Sequence, residues 1–243
     1  MTATIWATLL LIGGSGLWRF LPDSVRKALE PTAHAAAFNV NTADDHNDGV
    51  CNAADSTLRE AINAANAGDT ISFNIPGSGV HTINASTGFS ITKAVTIDGS
   101  TQPGFGGPPL VEINGGSVGA GMNGFHINAP NVTIKSLIIN RFRGPAITFD
   151  SFGNGSVQGC YIGTNASGTA ASPNNSGIRI NIGGITIGGT TAATRNVISG
   201  NIGDGIDILN GSSTIQGNYL GTNAGGTAVV ANGVDGVQIL DSG

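Results

Sequence analysis

The chain has 243 residues, 39 of them glycine, with only 10% charged residues and a formal net charge of −5. That charge and the lack of any basic run exclude a nucleic-acid surface, while a hydrophobic share of 40% excludes a disordered chain. Aromatics contribute 5%, so the core should rest on stacked Ile, Val, Leu and Ala rather than on large rings.

Ile5 to Trp18, IWATLLLIGGSGLW, is the one long apolar stretch. It falls short of the roughly 20 residues that span a bilayer and matches the hydrophobic region of a signal peptide. Ala33-His34-Ala35 supplies a small-x-small cleavage site, so residues 1–37 read as an export segment and the mature chain as starting near Phe38. Arg19, Arg26 and Lys27 follow the apolar run instead of preceding it, which leaves a misassigned start codon or an amino-terminal anchor as the alternatives. Cys51 and Cys160 form neither a zinc nor a redox pattern and are expected as free thiols.

The next segment, 38–75, reads as a cap. Its acidic loop, DDHNDGVCNAAD (44–55), places Asp44, Asp48 and Asp55 at positions 1, 5 and 12 of a calcium-loop pattern, with Gly49 at the turn position. His46 stands where an oxygen donor belongs, so a solvated polar turn competes with calcium. DSTLREAINAANAG (55–68) predicts a helix: Thr57 and Glu60 form a capping box, and Leu58, Ala61, Ile62 and Ala65 make one apolar stripe. Gly68 sits where a helix C-cap belongs. Such a helix would cover the first coil of a solenoid.

From Asp69 onward short strand patterns follow one another: TISF (70–73), VTIDG (95–99), VEING (111–115), FHI (125–127), VTIKSLII (132–139) and AITF (146–149), with QPGFGGPP (102–109) as an excursion. Then the chain repeats itself. VQGCYIGTNASGTA from Val157 returns as IQGNYLGTNAGGTA from Ile215, placing Tyr219 58 residues after Tyr161. GIRI (177–180), GIDI (205–208) and GVQI (236–239) recur at steps of 28 and 31, so the long repeat covers two coils. Alternation sends Ile178/Ile180, Ile206/Ile208 and Val237/Ile239 to one side and Arg179, Asp207 and Gln238 to the other.

With these residues on the page, FNVNTADDHNDGVCNAADSTLREAINAANAGDTISF (38–73) resembles the CSLREA domain at the start of exported bacterial β-helix proteins. IGG, NVISGN, DGI and GNYLGTN resemble the repeats that follow it. The resemblance implies a fold and a secreted or cell-surface location in bacteria, but no reaction. The family's motif cysteine is Ser56 here and Cys51 matches another upstream cysteine, so a disulfide between those positions is absent.

The expected fold is all-β: a right-handed parallel β-helix with an amino-terminal amphipathic helix cap, repeats over 76–243, and further coils beyond Gly243. Asp204 and Asp207 are the candidate carboxylate pair of an inverting glycosidase, which needs about 6.5–9.5 Å between carboxyls, and Arg179 is the candidate base of a lyase. Outward polar residues are, however, the default in a solenoid, Asp-Gly is a turn signal, and no polygalacturonase-like series of motifs is present. His81 and His126 look isolated near strand ends. Tyr161 and Tyr219 are candidates for a sugar-stacking column, with packing against the neighbouring coil as the alternative. The leading expectation is a non-enzymatic exported surface protein for adhesion or extracellular glycan contact. A lyase or hydrolase of polyuronides is the runner-up, and a stalk or passenger segment the third reading. None of these requires a cofactor, although calcium is the ion the acidic loop would take.

Overall fold

The computed structural model describes residues 37–240; the expected export segment lies outside them. The chain enters through β1 (Ala37–Val40), forms the helix α1 (Leu58–Ala64), and then winds six coils of three short strands each. The coils are β2 (Thr70–Phe73), β3 (His81–Asn84), β4 (Phe89–Ile91); β5 (Thr96–Asp98), β6 (Val111–Asn114), β7 (Phe125–Ile127); β8 (Thr133–Lys135), β9 (Leu137–Asn140), β10 (Pro145–Phe149); β11 (Ser156–Gln158), β12 (Tyr161–Ile162), β13 (Ser176–Ile180); β14 (Thr186–Gly188), β15 (Val197–Ile198), β16 (Ile206–Ile208); and β17 (Thr214–Gln216), β18 (Tyr219–Leu220), β19 (Val237–Ile239). Equivalent strands of successive coils pair in parallel. This gives one sheet of seven strands, which begins with β1, and two sheets of six. The architecture is a parallel β-helix.

The strand register explains why such short strands suffice. In the first sheet Ile71, Ile97, Ile134, Val157, Ile187 and Ile215 stand in line. In the second, Ile83, Ile113, Ile139, Ile162, Ile198 and Leu220 do the same. In the third, the GIRI, GIDI and GVQI pairs continue upward into Ile147/Phe149 and Phe125/Ile127. No coil encloses its own apolar side chains; the coils above and below do, so stability is a sum of neighbour contacts. The expectation of a ring-poor core needs one correction. Phe73, Phe89, Phe125, Phe142 and Phe149 are all fully buried, and Phe89 stacks on Phe125 with ring centroids 5.3 Å apart. The few aromatics are concentrated inside the first three full coils, where the cross-section must fill next to the cap.

Corners are made by left-handed residues. VTIKSLII, read as one strand, is two: Ser136 takes φ 54° between β8 and β9 and turns the chain from the first sheet to the second. Gly159 (φ 63°) and Gly217 (φ 69°) do the same one and three coils later.

Asparagines hold the corners in stack. Asn174 Nδ2 donates to Asn201 Oδ1 at 3.1 Å, and Asn201 Nδ2 donates to Asn232 Oδ1 at 3.0 Å. Each also donates to a strand carbonyl of the second sheet: Ile139, Ile162 and Ile198 respectively. Asn196 and Asn218 repeat the pattern on the opposite corner, at 2.9 Å. In the sequence these residues look only like turn formers; stacked, they form ladders that are buried at Asn174, Asn196 and Asn201.

The cap is built by the LREA residues in turn. Leu58 and Ala61 are buried against the first coil, with Ile62 and Ala65 extending the stripe. Arg59 forks onto Asp45 at 3.0 and 2.8 Å, donates to the carbonyls of Thr87 and Gly88, and lies 4.5 Å from the Phe89 ring centre. Glu60 closes the capping box with Thr57 and accepts from the Asp48 amide at 2.9 Å. The helix is shorter than expected, ending at Ala64 rather than at Gly68. Lys93 stops it there by donating to the carbonyls of Asn63 and Ala65, and Gly68 serves the following turn at φ 95°.

Candidate binding face

The outer face of the third sheet gathers most of the polar chemistry. Alternation turns Ser90, His126, Thr148, Arg179, Asp207 and Gln238 outward in one column, each paired in register with the next. Two residues further along the strands, Asn128, Asp150 and Asn181 begin a second column. The columns are cross-linked: His126 Nε2 lies 2.8 Å from Asp150 Oδ2, Asn181 Nδ2 donates to Asp150 Oδ1 at 2.5 Å, and Arg179 Nε donates to Asp207 Oδ2 at 3.1 Å. The contact with His126, reinforced by Asn181, holds the Asp150 carboxyl below its ordinary value. At the cap end of the face a depression of about 210 Å³ opens beside Ser90, Met122, Asn123 and His126.

Three polar atoms on this face have no hydrogen-bond partner although they are buried: Thr148 Oγ1, Asn181 Oδ1 and Asp207 Oδ1. Thr148 and Asp207 are each only 4% exposed despite facing outward. In register Thr148 lies between His126 and Arg179, and Asp207 between Arg179 and Gln238. The sequence singled out Arg179, Asp207 and Gln238, but it took His126 as isolated and did not see Thr148, Asp150 or Asn181. The same in–out alternation, carried from GIRI back through AITF and FHI, would have found them.

Of the other catalytic candidates, Asp204 lies in the turn before β16, where its Oδ1 accepts from the Asp235 amide at 3.0 Å. Asp207 is tied to Arg179, so neither residue presents a free carboxylate pair. His81 does not sit on the surface: it shares the inward column of Val111 and Leu137, is 9% exposed, and its Nε2 has no partner.

The acidic loop folds around a histidine, not around an open cradle. His46 Nδ1 is 3.2 Å from Asp44, and Nε2 is 3.1 Å from Asp55 and 3.6 Å from Glu60. The hydrogen bond that His46 donates to the Asp44 carboxylate, against some loss from burial and with help from Asp55 and Glu60, raises the His46 pKa above its ordinary value. Asp44 is lowered by the same contact. Burial pushes Glu60 upward, but the Thr57 and Asp48 amides outweigh it and hold the group below its ordinary value. Asp48 Oδ1 accepts from the Val50 amide, while Gly49 takes the expected left-handed turn at φ 85°. The expected calcium trio therefore does not converge, because Asp44 and Asp55 grip opposite nitrogens of one imidazole. His46, Asp48 and Glu60 do bring ligand-capable atoms within 4.8 Å of one another, yet the Glu60 oxygens already carry the helix cap.

Tyr161 and Tyr219 each lie on a glycine of their own hairpin. A methyl group on Gly168 would come within 2.9 Å of the Tyr161 ring, and one on Gly226 within 2.8 Å of the Tyr219 ring. The hairpins close through antiparallel bridges, Thr164 to Ala171 and Thr222 to Val229. They meet across the intervening coil, where the Ala224 amide donates to the Gly168 carbonyl at 2.8 Å. That contact makes two coils the repeating unit. Arg195 covers the Tyr219 ring at 4.4 Å from its centre, so Tyr219 packs rather than stacks on a ligand. Tyr161, half-buried, still borders a groove of about 360 Å³ together with Pro108, Ala193, Arg195 and Val197.

Compared with family models, curated proteins and solved structures, the chain matches none. Among the described residues no helix is long and apolar enough to cross a membrane.

Proposed function

We propose that this chain is an exported bacterial β-helix whose third sheet contacts extracellular glycans by binding rather than by cleavage. The reading is carried by the two polar columns that run along the outer face from His126 to Gln238. Hydrogen-bonding side chains recur there at the coil rise of about 4.8 Å, a spacing suited to a linear chain laid along the stack. Binding is favoured over catalysis because three carboxylates on or beside the face are engaged: Asp150 with His126 and Asn181, Asp207 through Oδ2 with Arg179, and Asp204 with the Asp235 amide. Export is supported by the apolar Ile5–Trp18 segment and the small-x-small site that follows it, and the CSLREA resemblance of the cap agrees with it.

The test is retention of the purified chain on insoluble polysaccharides, with reducing ends and unsaturated products assayed in the same tubes, with calcium and with chelator. Retention without product, lost on Arg179→Ala, is the expected result. Product formation abolished by His126→Ala would replace this reading with a polyuronide enzyme built on the His126–Asp150 pair.

A further inference from the structure

The third-sheet face discriminates between glycan classes, and we infer that it takes a neutral, hydroxyl-rich chain rather than a polyuronide. The inference rests on the reading of this face as the glycan-contact surface and goes on to name what it selects. It starts from what the face lacks. Thr148 Oγ1, Asn181 Oδ1 and Asp207 Oδ1 belong to three successive coils, and all three are without partners. Two of them accept hydrogen bonds only, and the hydroxyl of Thr148 does so readily. What would satisfy such a row is a run of donors, and sugar hydroxyls present donors at every ring.

Charge points the same way. Asp150 and Asp207 lie on the face, with Asp204 and Asp235 at the entrances of β16 and β19. The cations are Arg179 and His126 on the face and Arg143, two residues before β10. Arg143 is exposed on the approach, but on the face itself Arg179 is already matched by Asp207 at 3.1 Å and His126 by Asp150 at 2.8 Å. A polyuronide would have to break these pairs and then lie beside their carboxylates, in a chain whose formal charge is already −5. A neutral chain also has to displace Arg179 from Asp207, but it carries no charge for the carboxylates to repel.

Access runs through Arg179. Its side chain is 38% exposed and is held on the face by one hydrogen bond, from Nε. In register it is the neighbour of both Thr148 and Asp207, so an outward swing of its side chain is the route by which a hydroxyl reaches their buried oxygens. Its terminal nitrogens then remain as donors for ring or hydroxyl oxygens.

Calorimetric titration of the full chain with soluble xylo-, cello- and manno-oligosaccharides, and separately with oligogalacturonates, tests the inference at low and high salt. A neutral series should bind with little salt dependence, and the oligogalacturonates about tenfold more weakly or worse. Thr148→Val, which keeps the volume and removes the hydroxyl, should weaken neutral binding about fivefold. Asp207→Asn should raise oligogalacturonate affinity and so narrow the preference. Tighter oligogalacturonate binding that collapses in salt would overturn the neutral assignment while leaving the face a glycan surface. Neutral binding untouched by Thr148→Val would place the site elsewhere. Failure of every oligosaccharide to bind would overturn the glycan reading itself.

Discussion

The asparagine ladder offers the sharpest test of how the coils are held together, and Asn201→Asp is the perturbation. Asn201 is 2% exposed and its side chain makes three ladder contacts. It accepts from Asn174 at 3.1 Å, donates to Asn232 at 3.0 Å, and donates to the Ile162 carbonyl at 3.4 Å. Aspartate keeps the shape and the acceptor, but it turns the donor into an oxygen facing two acceptors. Two lost bonds at about 1 kcal/mol each, plus desolvation of groups left facing a buried carboxylate, give a destabilisation of about 3–5 kcal/mol near neutral pH. Burial and the facing oxygens raise the pKa of the introduced carboxyl. The penalty should therefore shrink as the pH falls through that raised value, where the protonated acid donates to Asn232 again. Urea unfolding of both chains as a function of pH measures this directly. A change below about 1 kcal/mol, or one that grows as the pH falls, would refute the ladder as a stabilising element.

Four further outcomes are expected. Arg59→Leu leaves Asp45, whose side chain is 3% exposed, without its ionic partner, and should cost about 3–5 kcal/mol of cap stability, read as earlier exchange of the α1 amides. In the folded chain thiol reagents should label Cys51 and spare Cys160, which burial pushes up to about 12; two equal labelling rates would contradict that burial. The His46 resonances should titrate above 6.5, and Asp44→Asn should bring the midpoint down. The His46 contribution is then full below 6.5 and is lost as pH rises through its raised pKa, whereas those of Asp44 and Glu60 are full above 3.8 and 4.5 and are lost in acid, so the cap should be most protected between. Ser56→Cys should form a disulfide with Cys51, whose Sγ lies 2.9 Å from Ser56 Oγ; closing that six-residue loop should add about 2 kcal/mol in oxidising buffer and nothing under reductant.

Most of the coil architecture was legible because its signal is local and repeated. The GIRI, GIDI and GVQI spacing gives the coil length, and alternation gives the inward columns, which the register confirms at every pair from Ile178 to Ile239. What could not be read from that pattern is whatever depends on a neighbouring coil rather than on the same strand. Asn174, Asn201 and Asn232 look like turn residues until they are stacked. Ser136 looks like a strand residue until its left-handed φ turns VTIKSLII through a corner. Lys93 ends α1 from 30 residues away, which no capping rule applied within the helix could foresee.

The candidate face shows the same division between local and stacked information, and the division bears on function. Arg179 and Asp207 were visible as an outward pair, and their residue types suggested catalysis. Placed in the stack, Arg179 Nε is bound to Asp207 Oδ2, and the interest moves to the oxygens that nothing fills, Asp207 Oδ1 among them. His126 and Asp150 are 24 residues apart and belong to different strand patterns, yet the coil closes them to 2.8 Å. In a solenoid a residue's chemistry is decided one coil above and one coil below. A carboxylate is a hydrogen-bonded acceptor beside histidine and asparagine, an ion pair beside arginine, and an acceptor for a turn amide elsewhere. Asp150, Asp207 and Asp204 differ in their partners far more than in their local sequence, and those partners are what favour a binding surface over an active site.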